Sequence, residues 1–264
     1  MATGSISLYR SLTIQFRVVG ALLMRETLTR YGRHNIGVLW LIGEPLLFIL
    51  GVSIMMYVAR LGALFPVPLI AFIISGYSSA CLWRNAAARC IRALEPNQAL
   101  MYHRNVQILD IFISRVLLEL IGVTASLTAL TVFFVSIGAM SWPQDMILVF
   151  GGWALLCWTG FALACIVGVF SERSRFFVSI WQMVSFLLFH ASGALFMVDW
   201  LPRGIQDAIL WVPMVHGVEM VRHGYFGTIV PTHENPMYLV AANLFLTLIG
   251  LALVRASGRR IQSR

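Results

Sequence analysis

Residues 147–170 read ILVFGGWALLCWTGFALACIVGVF, without one charged side chain. About 20 apolar residues suffice to cross the hydrocarbon of a bilayer as a helix. A segment bathed in lipid must close its backbone hydrogen bonds within itself, so the stretch predicts a spanning helix. Pro143 and Asp145 before it, and Ser171-Glu172-Arg173 after it, set its limits. Small residues recur on it at Gly160, Ala164 and Gly168, a spacing that lets a second helix approach closely.

Outward from this stretch, five more segments carry the same signature: Ile36–Ala59, Leu64–Trp83, Ile111–Met140, Phe177–Phe196 and Met237–Val254. The whole chain agrees with them. Of its 264 residues 59% are hydrophobic and 11% charged, against about 25% charged in a soluble domain. The expected fold is all-α: a polytopic membrane protein with six spanning helices. An N-terminal segment, residues 1–35, precedes a transmembrane domain over 36–254, and a basic tail follows at 255–264.

Within the N-terminal segment, Leu8, Leu12, Phe16, Val19 and Leu23 share an arc of about 80° on a helix, with Arg10, Arg17 and Arg25 opposite. Such a helix is expected to lie in the headgroup layer. Between the last two spans, residues 197–236 are broken by Pro202, Pro213, Pro231 and Pro236, and read as short re-entrant helices at the outer interface. The eight tryptophans, among them Trp40, Trp83, Trp142, Trp153 and Trp211, fall mostly near span ends and read as interfacial anchors.

All 19 basic residues are arginine. Without lysine the chain has neither a P-loop nor a Schiff-base nucleophile. With both termini in the cytoplasm, sixteen arginines fall inside and only Arg60, Arg203 and Arg222 outside, the bias expected of an inner-membrane topology. That distribution accounts for the net charge of +8 without nucleic acid. Cys81, Cys90, Cys157 and Cys165 lack CxxC spacing and are expected to be free thiols. The largest cytoplasmic loop, residues 84–107, is longer than a helix connection requires and is expected to dock a cytoplasmic partner.

Four constellations remain. Glu44, beside Pro45 in the first span, is costly in lipid and is expected to face inward, against a neighbouring helix or an arginine such as Arg115. Arg115 and Glu119, four apart on one helix face, are expected to pair with each other. His216, Glu219 and His223 share a helical face, but Arg222 sits among them and ion pairing competes with a metal. His190-Ala191-Ser192-Gly193 invites comparison with an intramembrane serine protease, although a histidine base on the last span is missing.

Three motifs together resemble a known family. They are Arg25-Glu26, Arg30-Tyr31-Gly32-Arg33, Gly37-Val38-Leu39-Trp40 and Glu44-Pro45; then Asn105-Val106 through Asp110, Arg115 and Glu119; then Trp211-Val212-Pro213 with His216, Glu219, Arg222 and Gly224-Tyr225-Phe226. The chain resembles the permease subunit of type 2 ABC transporters, and among these the capsular polysaccharide exporters. It departs from the family pattern at Ile108, where proline is common, and at Val212, where asparagine is common.

The resemblance implies a homodimer bound to two ATP-binding subunits, which carry the ATP and Mg; the chain itself binds no cofactor or metal and has no catalytic residue. A periplasmic adaptor and an outer-membrane conduit would complete the route of a lipid-linked glycan. It also implies substrate admission at Arg30, Arg33, His34 and Trp40, and ATPase coupling through Arg92, Glu95, Tyr102, His103 and Arg104. Related permeases for O-antigen, teichoic acid or a drug look similar across the first span.

Overall fold

The computed structural model describes residues 8–31, 36–58, 67–101 and 106–262; the side chains of 8–12, 31, 36–42, 44, 56–57 and 260–262 lie outside the description. The described chain is all-α, without strands. Its helices are α1 (Leu8–Tyr31), α2 (Ile36–Val58), α3 (Leu69–Arg89), α4 (Gln98–Met101), α5 (Ile108–Ser136), α6 (Met146–Arg173), α7 (Arg175–Ala191), α8 (Arg203–Ile209), α9 (Pro213–Phe226) and α10 (Pro236–Gln262). Among the described residues α5, α6 and α10 are long and apolar enough to cross a membrane, and α7 is a shorter apolar helix.

Helix ends follow local chemistry. The Asp145 carboxylate accepts from Ile147 N–H at 2.8 Å and Leu148 N–H at 3.1 Å, starting α6. Gln107 and Asp110 form a reciprocal capping box on α5. Gly193, at φ 81°, takes a left-handed turn that ends α7 near Ala191, short of the predicted Phe196. Two other boundaries also differ from expectation. The segment Asn85-Ala86-Ala87-Ala88-Arg89 favours helix and buries Ala86 and Ala87, so α3 continues to Arg89 and the loop begins at Cys90. The basic tail continues α10 to Gln262, with Arg173 of α6 donating to Ser257 Oγ at 3.3 Å.

α6 is the central helix and packs against α3, α9 and α10. In its most apolar stretch 61% of residues are buried, against 22% for α10. Its small residues permit this. A side chain at Gly160 would meet Ala86 Cβ at 3.0 Å and Trp83 Cα at 3.1 Å, and one at Gly168 would strike the Phe112 ring. Ala164, between them, is fully buried. Polar contacts add glue on the α10 side: Thr159 Oγ1 donates to Asn243 Oδ1 at 2.8 Å, and Trp158 Nε1 donates to Thr247 Oγ1 at 2.9 Å. Within a bilayer such bonds contribute about 0.6–2 kcal/mol each.

α1 packs against α5. Leu22 is buried and Val18 packs beside it, whereas Phe16 is 77% exposed together with Met24 and Leu28. The tryptophans divide as well. Trp142 and Trp211 stand exposed, but Trp83 and Trp153 are core residues and not anchors, because α3 and α6 lie inside the bundle.

Candidate functional site

Charged side chains gather at the two ends of the bundle. At the arginine-rich end α1 crosses α5. Glu26 and Arg30 are four apart on α1, and Arg115 and Glu119 are four apart on α5, in the opposite order of charge. Arg115 Nε donates to Glu26 Oε1 at 3.1 Å, and Arg30 Nη1 donates to Glu119 Oε2 at 2.6 Å. The expected Arg115–Glu119 pair is therefore replaced by two pairs between helices. A pair along one helix is worth only about 0.2–0.5 kcal/mol, whereas the two pairs between helices also join α1 to α5.

Glu119 is 3% exposed and also accepts from Arg89 Nε at 3.0 Å. Arg115 Nη1 donates to the Arg89 carbonyl at 2.9 Å, and Gln15 donates to Asp110 Oδ2 at 3.2 Å. One polar cluster thus ties α1 and α5 to the end of α3. The Glu44 side chain, expected to face a neighbouring helix or an arginine such as Arg115, lies outside the described residues. The mirrored spacing of Glu26 and Arg30 against Arg115 and Glu119 was the signal in the sequence for this arrangement.

After α3 the chain turns at Arg92, which has φ 50°. A left-handed backbone costs a non-glycine residue about 1–2 kcal/mol. Ala93 and Leu94 tuck into the cluster formed by Leu22, Val116 and Val169. Asn97, 1% exposed, donates to the Ala93 carbonyl at 2.8 Å, and a short 3-10 turn, Glu95–Asn97, leads into α4. Arg92 and Glu95 lie 3.8 Å apart at the surface. Tyr102, His103 and Arg104 lie outside the described residues. So do Arg33, His34 and the Trp40 side chain, which leaves Arg30, engaged by Glu119, as the described member of the expected admission site.

At the opposite end the charges belong to α9, and here His216, Glu219 and Arg222 are core residues. His216 Nδ1 accepts from Asn235 N–H at 3.1 Å, which places the proton on Nε2, facing the Leu210 carbonyl at 2.9 Å. Both ring nitrogens are committed to the backbone. Glu219, fully buried, accepts long bonds from Val198 N–H at 3.5 Å and His233 N–H at 3.4 Å. Arg222, also fully buried, donates to the carbonyls of Phe196 and, at 2.9 Å, Ala194; it stacks over the Phe72 ring at 4.1 Å and lies 3.9 Å from Glu219. Gly76 on α3 makes room for it, since a side chain there would strike Arg222 and the Ala194 carbonyl. His223 pairs with Glu234 and not with Glu219.

These side chains fasten loops. Among the described residues no group of three or more metal-ligating side chains comes together. The protease comparison finds no support in the geometry. His190 Nδ1 contacts the Phe186 carbonyl at 2.9 Å, and Ser192 Oγ donates to the Phe189 carbonyl at 2.8 Å, so each serves its own helix end.

No family model matches the chain. Relatives of known name do. A capsule polysaccharide export inner-membrane protein of Haemophilus influenzae is 42% identical over 253 residues, 96% of each chain. Another, of Neisseria meningitidis serogroup B, is 40% identical over 256 residues, 97% of each. A polysialic acid transport protein of Escherichia coli is 30% identical over 250 residues, 92% of this chain and 94% of its own. Similarity of this extent, on an all-α chain with membrane-crossing helices, places the protein in the family of capsule polysaccharide export inner-membrane proteins.

Proposed function

We propose that the chain is the membrane subunit of an ATP-driven exporter that moves a lipid-linked capsular polysaccharide out of the cytoplasm. The observation that carries this reading is kinship of 40–42% over nearly the full length with capsule export inner-membrane proteins. The lysine-free sequence supports a separate source of energy: two ATP-binding subunits, holding ATP and Mg, on a homodimer of this chain. Both termini would face the cytoplasm, and a periplasmic adaptor with an outer-membrane conduit would receive the product.

In this reading segment 90–107 docks the ATPase through Arg92, Glu95, Tyr102, His103 and Arg104. Docking displaces the segment, and the inter-helical ion pairs of α1, α3 and α5 carry the displacement into the bundle. Arg33, His34 and Trp40 admit the anionic glycolipid. Arginine binds phosphate or carboxylate through two parallel hydrogen bonds, and each basic residue near an anionic surface contributes about 1 kcal/mol. Arg30 holds α1 in place through Glu119.

The test is co-purification of the chain with an ATPase whose turnover rises on adding glycolipid, together with Arg33→Glu in cells. The expected outcome is an assembled, ATPase-bound complex that leaves capsule polymer inside the cell. Normal surface capsule in Arg33→Glu would remove the proposed admission site. A purified chain that moves glycolipid with no companion would remove the ATP-driven reading.

A further inference from the structure

Two backbone amides of the segment that follows α3 are closed by another helix. Arg92, in its left-handed conformation, donates its N–H to Ser171 Oγ at 3.0 Å. Two residues on, Leu94 N–H donates to Glu172 Oε1 at 2.8 Å. Ser171 is 1% exposed, and its hydroxyl proton is committed to the Gly168 carbonyl at 2.8 Å, which leaves the oxygen lone pairs for Arg92. Ala93, between the two bonds, is fully buried. The strained turn is thus held at both flanks by the last turn of α6.

That turn adjoins an elbow. α6 ends at Arg173, and Ser174 is extended at φ −149°, ψ 124°. Its hydroxyl oxygen caps α7 by accepting from Phe177 N–H at 3.3 Å. Beyond the elbow α7 is lightly covered: only Ser185 and Phe189 are buried, while Phe176, Met183, Phe186 and Leu187 stand exposed. A helix with so few packed side chains reorients at little cost.

We propose that Ser171 and Glu172 are positioning residues that clamp segment 90–97 to the α6–α7 elbow, so that a displacement of the segment swings α7. The proposal rests on the reading of this segment as the ATPase contact. The hydroxyl and the carboxylate supply acceptor oxygens, and neither touches substrate. An acceptor at position 172 suffices, so glutamine serves where alanine fails.

The experiment uses the full chain with its ATPase in lipid nanodiscs for hydrogen exchange, and cells for surface capsule. Ser171→Ala and Glu172→Ala are expected to speed amide exchange across 90–97 by at least about tenfold. Exported capsule falls by a similar factor while the ATPase stays bound at the unsubstituted stoichiometry. Glu172→Gln stays within about twofold of the unsubstituted protein in both measurements. Ser171→Ala removes a single oxygen and keeps the proposal open to refutation if Glu172→Ala fails to accumulate. Unchanged exchange in the alanine variants overturns the clamp. So does faster exchange with undiminished export, or Glu172→Gln failing as Glu172→Ala does. If the unsubstituted chain binds no ATPase, the docking reading falls, and the exchange measurement still decides the clamp.

Discussion

The two ends of the bundle spend their charges differently. At the arginine-rich end the partners are side chains on different helices: Glu26 with Arg115, and Glu119 with Arg30 and Arg89. All but the buried Glu119 are partly exposed, Arg89 by half. Long side chains at both ends of a bond tolerate sliding and changes of angle between their helices. At the opposite end a single helix, α9, turns its charges onto fixed backbone groups: Arg222 on the carbonyls of Ala194 and Phe196, Glu219 on the amides of Val198 and His233, and His216 on Leu210 and Asn235. There Glu219 and Arg222 are fully buried. On the proposed reading the first end transmits motion, while the second holds loops in one arrangement.

The largest effect that would break this contrast lies in α9. Arg222→Ala leaves Glu219 as a buried charge without its counter-ion and frees two carbonyls. Removing one partner from a buried pair costs about 3–5 kcal/mol, a large share of a marginal stability. The variant is expected to lose its folded fraction in size exclusion and thermal unfolding. Arg222→Lys restores little, because one ammonium cannot reach both carbonyls and stack on Phe72. An Arg222→Ala protein that is folded and unfolds within a few degrees of the unsubstituted one would show that the α9 end is not the rigid one.

The sequence disclosed these two regions unequally. The helices were legible because lipid imposes a length and an apolar run on each segment. Helices stand within all six predicted segments. Three of them, α5, α6 and α10, are long and apolar enough to cross a membrane among the described residues. The stacking of Gly160 and Gly168 followed from their spacing alone. What pairs with what was not legible. Arg115 and Glu119 satisfy a local rule, and only the crossing of α1 over α5 brings in the competing charges of Glu26 and Arg30. Likewise His216, Glu219 and Arg222 look alike as ligands and as latches until the loops that they fasten are placed. Phe16 shows the same limit from the apolar side. Periodicity placed Phe16 on an apolar arc but did not show that Leu22 and Val18, outside that arc, meet protein.

A middle-sized effect would sharpen the arginine-rich side of the comparison. Glu26 and Arg115 are each about one-fifth exposed at the side chain, 21% and 17%. A double-mutant cycle of Glu26→Gln and Arg115→Gln is expected to give a coupling energy of about 1 kcal/mol, above the usual surface pair and below a buried one. Measured by thermal unfolding in nanodiscs, the coupling falls as salt is raised, since partly exposed pairs are screened. A coupling of zero at low salt would reduce the pair to a coincidence of position and leave α1 held to α5 by Arg30, Gln15, Leu22 and Val18.

The smallest effect concerns pH at the α9 end. Burial on its own raises the Glu234 carboxyl, but hydrogen bonds from Thr232 and His223, its own backbone amide and the His223 charge together hold it below the ordinary glutamate value. A carboxylate whose folded value is depressed stabilises the fold above its unfolded value, about 4.3, and that contribution disappears as pH falls through the folded value. The loop of residues 231–235 is therefore expected to keep its protection from proteolysis at neutral and mildly acidic pH and to lose it progressively below about pH 4. Glu234→Gln removes the titrating group and flattens this dependence. If the loop opens at the same pH with and without Glu234, the response comes from another group and Glu234 is not what fastens the loop.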